Sequence, residues 1–102
     1  MLTKLAERIF NQSLLYAIVD IETTGGFAAS NGITEIAVCG TDGMAVTQEY
    51  HTLLNPGYTI PRYVESLTGI TNAMVANERG FASVAPELFE LLHDKIFVAH
   101  NV

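Results

Sequence analysis

The spacing of apolar positions along this chain changes several times, and each change marks an element. Leu14-Leu15-Tyr16-Ala17-Ile18-Val19 is an apolar run that carries on to Ile21, and its length and bounds predict a buried first strand over 14–21. Residues 23–32 hold Gly25, Gly26, Ser30, Asn31 and Gly32 and read as a loop. Thr34-Glu35-Ile36-Ala37-Val38-Cys39 alternates with period two and predicts a second strand. Thr41-Asp42-Gly43 is a hairpin turn signal. The stretch 44–54, rich in Val, Thr and Tyr, predicts a third strand that Asn55-Pro56-Gly57 ends.

Beyond that point Pro61, Gly69 and Gly80 break the pattern into one or two short helices, with Thr71 the candidate N-cap of the second, around 72–76. Phe81, Val84, Ala85, Leu88, Leu91 and Leu92 then recur at helical spacing up to His93. Proline is tolerated in the first helical turn, so Pro86 places the start of this helix near Ala82 or Ser83. Residues 96–99 predict a fourth strand. At the other end Leu2, Leu5, Ile9 and Phe10 fit a short amphipathic helix, so residues 1–13 read as an N-terminal extension and 14–102 as the folded part.

Strands joined by short turns, followed by a helical crossover and another strand, indicate an α/β fold with a mixed sheet. The crossover makes the fourth strand parallel to an earlier one. If that neighbour is the first strand, the carboxyl ends of both lie together, where sites form in such sheets.

The chemistry concentrates at the end of the first strand, in Asp20-Ile21-Glu22-Thr23-Thr24-Gly25. Side chains alternate across a strand, so Asp20 and Glu22 share a face and Ile21 points the other way. Two like charges side by side call for a neutralising cation. Two carboxylates on one edge suit a hard ion such as Mg²⁺ or Mn²⁺. Gly25 and Gly26 in the turn that follows let backbone approach a ligand closely.

Composition narrows the function classes. A chain of 102 residues is one domain at most, and 49% apolar content is ample for its core. The net charge of −6 argues against a passive nucleic-acid binder, though not against an enzyme whose metal ions reverse the local field. A single cysteine, Cys39, excludes a disulfide framework and reads as a small buried hydrophobe. No apolar stretch is long enough to span a membrane, and Lys4, Glu7 and Arg8 interrupt any signal-peptide core, so the expected location is cytoplasmic.

The motif resembles the first exonuclease motif of the DEDD 3′–5′ exonucleases, a superfamily that includes the epsilon subunit of bacterial DNA polymerase III. Other stretches agree with that family in order. Ile33-Thr34-Glu35-Ile36-Ala37 is similar to its second strand. Leu67-Thr68-Gly69-Ile70-Thr71 with Met74-Val75 is similar to the segment lining its nucleotide pocket. Ala99-His100-Asn101-Val102 is similar to the opening of its second exonuclease motif. The resemblance runs from about Leu14 to Val102 and identifies 14–102 as the N-terminal part of an exonuclease domain.

The resemblance implies a ribonuclease H-like fold and hydrolysis of phosphodiester bonds at a DNA 3′ end with two divalent ions, Mg²⁺ or Mn²⁺. Asp20 and Glu22 would be metal ligands. Ile21, Thr23 and Thr24 would hold the terminal nucleotide, while Thr68, Gly69 and Ile70 would border its sugar and base. His100 and Asn101 would line the pocket. The family's remaining carboxylates and its general base come from later sequence than is present here, so the 102-residue chain is expected to be inactive or nearly so. RNA is the alternative substrate, and a polymerase subunit or fused domain the expected partner of the parent protein. A third reading is a non-catalytic fragment that self-associates through exposed apolar surface and a sheet edge.

Several of these residues also have plain structural readings. Glu35 could serve the site or a structural hydrogen bond, Asn101 a substrate contact or a turn, and Thr68 a nucleotide contact or the turn at Gly69. His51, in a strand, and His93, near a helix end, are read as non-catalytic.

Overall fold

The computed structural model describes residues 14–25 and 32–99. Within them the chain forms β1 (Tyr16–Thr23), β2 (Ile33–Thr41), β3 (Val46–Leu53), α1 (Arg62–Thr68), α2 (Asn72–Val75), α3 (Phe81–Leu92) and β4 (Ile96–Ala99). The sheet order is β3-β2-β1-β4. β1–β2 and β2–β3 pair antiparallel, whereas β4 runs parallel to β1, with Val19 beside Ala99. The mixed sheet and the parallel neighbour expected from the crossover are both present.

Period-two alternation decides which side of the sheet is covered. Ala17 on β1 and Thr34, Ile36, Val38 and Gly40 on β2 are buried. Ala17, Ile36 and Val38 pack with Leu54 against Val84, Leu88 and Leu91, the apolar stripe of α3. The opposite side carries Ile18, Asp20 and Glu22 from β1, with Glu35, Ala37 and Cys39 from β2 in register beside them. No described helix packs over the middle of that face, and Ile18 is 43% exposed there. Cys39 lies on this face half-buried, less enclosed than the sequence suggested.

A second, smaller core joins α1 and α2. Ile60, Val64, Ile70 and Val75 pack together and against Leu53 at the end of β3. Asn72 bolts the pair: its Oδ1 accepts from the Ile60 N–H at 2.8 Å, and its own N–H donates to Glu65 Oε2 at 2.7 Å. Thr71 caps α2 as anticipated, accepting from the Met74 N–H at 3.3 Å. Gly69 ends α1 at φ 76°, a left-handed cap that an L side chain takes only with strain, and its N–H bonds the Glu65 carbonyl.

Boundaries shift from the sequence reading: β1 runs Tyr16–Thr23 rather than 14–21, β2 extends outward to Ile33–Thr41, and the starts of β3 and α3 move as well. β3 starts at Val46 because Asp42 captures the residues before it, its Oδ1 accepting from the N–H groups of Met44 and Ala45. The tight hairpin turn is thereby a wider loop. α3 starts at Phe81, which puts Pro86 in the second turn. Ala82, whose carbonyl loses its helical donor there, is exposed to water together with Pro86, so the missing bond is tolerated.

Among the described residues no helix is long and apolar enough to cross a membrane. The expected N-terminal helix, in 1–13, lies outside the described residues.

Candidate active site

β1 delivers Asp20 and Glu22 to the open face of the sheet, where the strand approaches its end. Asp20 is exposed and Glu22 half-buried, so water screens much of their repulsion. Their register partners on β2 are Ala37 and Glu35. Asp20 also lines a shallow depression of ≈ 490 Å³, whose walls include Ile18, Ala37, Cys39, Glu49 and His51. β4 ends at Ala99 beside Val19, the residue before Asp20, so the two carboxyl ends meet as expected.

The β1–β2 register slips between Glu22 and Thr23. Thr34, 1% exposed, donates its hydroxyl to the Glu22 carbonyl at 3.2 Å and pins the backbone at this irregularity. Thr24 follows, 4% exposed. Its N–H donates to the Gly32 carbonyl at 3.0 Å, and its hydroxyl accepts from the Gly32 N–H at 2.9 Å. These two bonds close the base of the 25–32 loop. Gly32 is itself pressed against Pro56: a Cβ on it would stand 2.5 Å from the Pro56 Cβ and carbonyl oxygen.

The other site residues named from the sequence divide. Ile21 points away from the carboxylates, and the Thr23 hydroxyl lies 3.4 Å from the Gly25 carbonyl. Thr68 donates its hydroxyl to the Val64 carbonyl at 2.9 Å and accepts from the Ile70 N–H, while the Ile70 side chain belongs to the smaller core. Leu53, which anchors that core, is the register partner of Glu35. The α1–α2 unit therefore flanks the sheet at the end where Glu22 and Glu35 lie. His100 and Asn101 lie outside the described residues.

One pair at the site carried no clear signal in the sequence. His51 on β3 and Glu35 on β2 are bonded at 2.6 Å, Nε2 to Oε2. Alternation places each on the open face, but their contact spans 16 residues of sequence and no local pattern announces it.

The donor set fits a hard divalent cation, since both groups offered at the strand end are carboxylates. Among the described residues, however, no group of three or more His, Cys, Asp or Glu side chains is assembled to hold a metal. Asp20 and Glu22 offer two carboxylates there.

Comparison with known proteins identifies the architecture. The family model described as Exonuclease, of the RNase T type, matches residues 17–102. The chain is 40% identical over 88 residues to the 3′-5′ exonuclease DinG of Bacillus subtilis, covering 85% of this chain and 10% of that protein. It is 36% identical over 87 residues to the DNA polymerase III subunit epsilon of Aquifex aeolicus, covering 85% of this chain and 43% of that one. The chain thus spans less than half the length of these relatives. The structure of exonuclease X in complex with 5′ overhanging duplex DNA superposes with a TM-score of 0.71 at 29% identity, covering 84% of this chain and 48% of that one. Product-bound exonuclease I, at 22% identity and a TM-score of 0.76 over 88% of this chain and 22% of that one, shares the fold. The chain belongs to the RNase T-type exonuclease family, and its sheet and helices are those of a DEDD-type exonuclease domain.

Proposed function

We propose that this chain carries the first metal-binding motif of a 3′–5′ exonuclease of the DNA polymerase III epsilon type, acting on a single-stranded DNA 3′ end. The observation that carries the reading is the placement of Asp20 and Glu22 on one open face at the end of β1, beside the parallel β4. Enzymes of this family are in general dependent on divalent metal. Asp20 and Glu22 would hold the ion, Mg²⁺ or Mn²⁺, which supplies polarisation of the phosphate and activation of water when bound. Glu22 is held in place by the Thr34 bond to its carbonyl. The Ile21 and Thr23 backbone and the Thr23 side chain would meet the terminal nucleotide. Thr24 would act by closing the loop beside it. Thr68, Gly69 and Ile70 would border the sugar and base through the turn they form, and His100 and Asn101 would complete the pocket wall.

The DinG and epsilon relatives are similarly close, so the epsilon assignment and the DNA substrate are our reading. Matched DNA and RNA strands, labelled at the 5′ end and digested by the full-length protein, test it. Shortening of DNA from its 3′ end is expected, and preferential shortening of RNA would overturn the substrate assignment. The 102-residue chain alone should cleave neither, because Asp20 and Glu22 give only part of the coordination shell. Cleavage by the chain alone would overturn that expectation.

A specific observation also favours self-association of the 102-residue chain. Among the described residues β4 is an edge strand, on which Ile96, Phe97 and Val98 are 45%, 60% and 39% exposed. Exposed apolar edges pair with other chains. Light scattering at rising concentration should show a dimer or larger species, and a monomer throughout would refute this.

A further inference from the structure

Glu22 and Glu35 stand directly opposite each other across the antiparallel β1–β2 pair. Both project from the open face, and like charges directly opposite on a sheet repel. Opposed residues on one sheet face have Cβ atoms about 4.5–5.5 Å apart, a spacing that one cation can bridge. The structure shows where Glu35 goes instead. Its Oε2 lies 2.6 Å from His51 Nε2 on β3, the strand on the far side from Glu22. His51 is the register partner of Ala37, and Glu35 that of Leu53, so the contact is the diagonal one across β2–β3. The His51 and Glu35 side chains are 59% and 32% exposed. The pair is therefore not an element of the hydrophobic core. An exposed hydrogen-bonded pair of this kind adds little to stability, so its effect is sought in where it holds the carboxylate.

We propose that His51 is a positioning residue that holds the Glu35 carboxylate against β3, keeping it off the Asp20–Glu22 edge so that Glu35 does not join those two groups on the divalent cation at this end of β1. The inference rests on the reading of Asp20 and Glu22 as metal ligands. His51 donates its Nε2–H to the Glu35 carboxylate. Without that donor, Glu35 is free to turn toward β1, where a cation held by Glu22 attracts it. A third carboxylate on the ion would tighten binding and fill a coordination position that a substrate oxygen would otherwise take.

The test is a titration of the 102-residue chain with Mn²⁺ alone, followed by the electron paramagnetic resonance signal of free Mn²⁺, with folding checked by circular dichroism. Asp20→Asn should bind Mn²⁺ more weakly than the parent. Glu35→Gln should bind as the parent does. His51→Ala should bind about three- to tenfold more tightly, and the double variant His51→Ala/Glu35→Gln should lose that gain. A merely structural His51 would not produce a gain that Glu35 removal cancels. Unchanged affinity in His51→Ala overturns the positioning claim while leaving the metal reading intact. So does weakened binding in Glu35→Gln, which would make Glu35 a ligand in the parent. Unchanged affinity in Asp20→Asn overturns the metal reading and the positioning claim with it.

Discussion

The hydroxyl of Thr34 donates to the backbone carbonyl of Glu22 at 3.2 Å, from a side chain that is 1% exposed. This bond ties β2 to β1 where the register between them slips, and it holds the backbone that carries the Glu22 side chain. Thr34→Val keeps the shape and removes the donor. It should cost about 1–2 kcal/mol by denaturant unfolding. It should also weaken Mn²⁺ binding, although Thr34 is no ligand. Unaltered Mn²⁺ affinity in a destabilised Thr34→Val chain would separate the bond from the site.

Gly32 accepts from the Thr24 N–H, donates to the Thr24 hydroxyl, and has Pro56 packed where a side chain would begin. A methyl group there meets backbone as well as side chain, so neither neighbour yields easily. Gly32→Ala should destabilise the chain by about 1–3 kcal/mol. Thermal unfolding of the variant checks this, and a melting temperature equal to the parent's would show that the loop base can spread.

Gly69 poses a different constraint. Nothing lies within 4 Å of where its Cβ would be, yet its φ is 76°. Gly69→Ala therefore tests backbone strain without overpacking and should cost about 1–2 kcal/mol. Gly57, also at positive φ with open space around it, provides a comparison outside any helix cap.

The pH dependence of stability should reflect the clamp between β3 and α3. Tyr50 donates its hydroxyl to Glu87, which Arg79 grips with two guanidinium nitrogens. The Arg79 and Tyr50 hydrogen bonds hold the Glu87 carboxyl below its ordinary value of 4.5. Its contribution is thus present above that value and lost as pH falls through the lower folded value. Desolvation, with the Glu87 carboxylate beside it, raises Tyr50 above its ordinary 10.0. That contribution is present below 10.0 and lost as pH rises through the higher folded value. The clamp is solvent-exposed, so both effects are small. Glu87→Gln should lower the melting temperature at pH 7 slightly and flatten its fall on acidification. An acid limb as steep as the parent's would assign the pH dependence to other carboxylates.

How much of this was legible in the sequence follows from the range of the interactions. Period-two alternation put Asp20 and Glu22 on one face and Ile21 on the other, and the helical crossover implied the parallel β4. Those are local patterns constrained by simple geometry. The Glu35–His51 pair, the Thr34 bond and the closeness of Gly32 to Pro56 depend on strand register and on loops meeting far from each other in sequence. Thr68 and Thr24 have hydroxyls suited to a substrate, and only the folded chain shows both engaged in internal hydrogen bonds. Asp42 shortened β3 by capturing two backbone N–H groups, an effect that the alternation of its neighbours does not reveal.

The central claim is that Asp20 and Glu22 hold the metal of a 3′–5′ exonuclease. The most direct measurement is digestion of 5′-labelled single-stranded DNA by the full-length protein with Mn²⁺, beside its Asp20→Ala and Glu22→Ala variants. The account predicts stepwise shortening from the 3′ end by the parent and none by either variant. Undiminished shortening by either variant would contradict it.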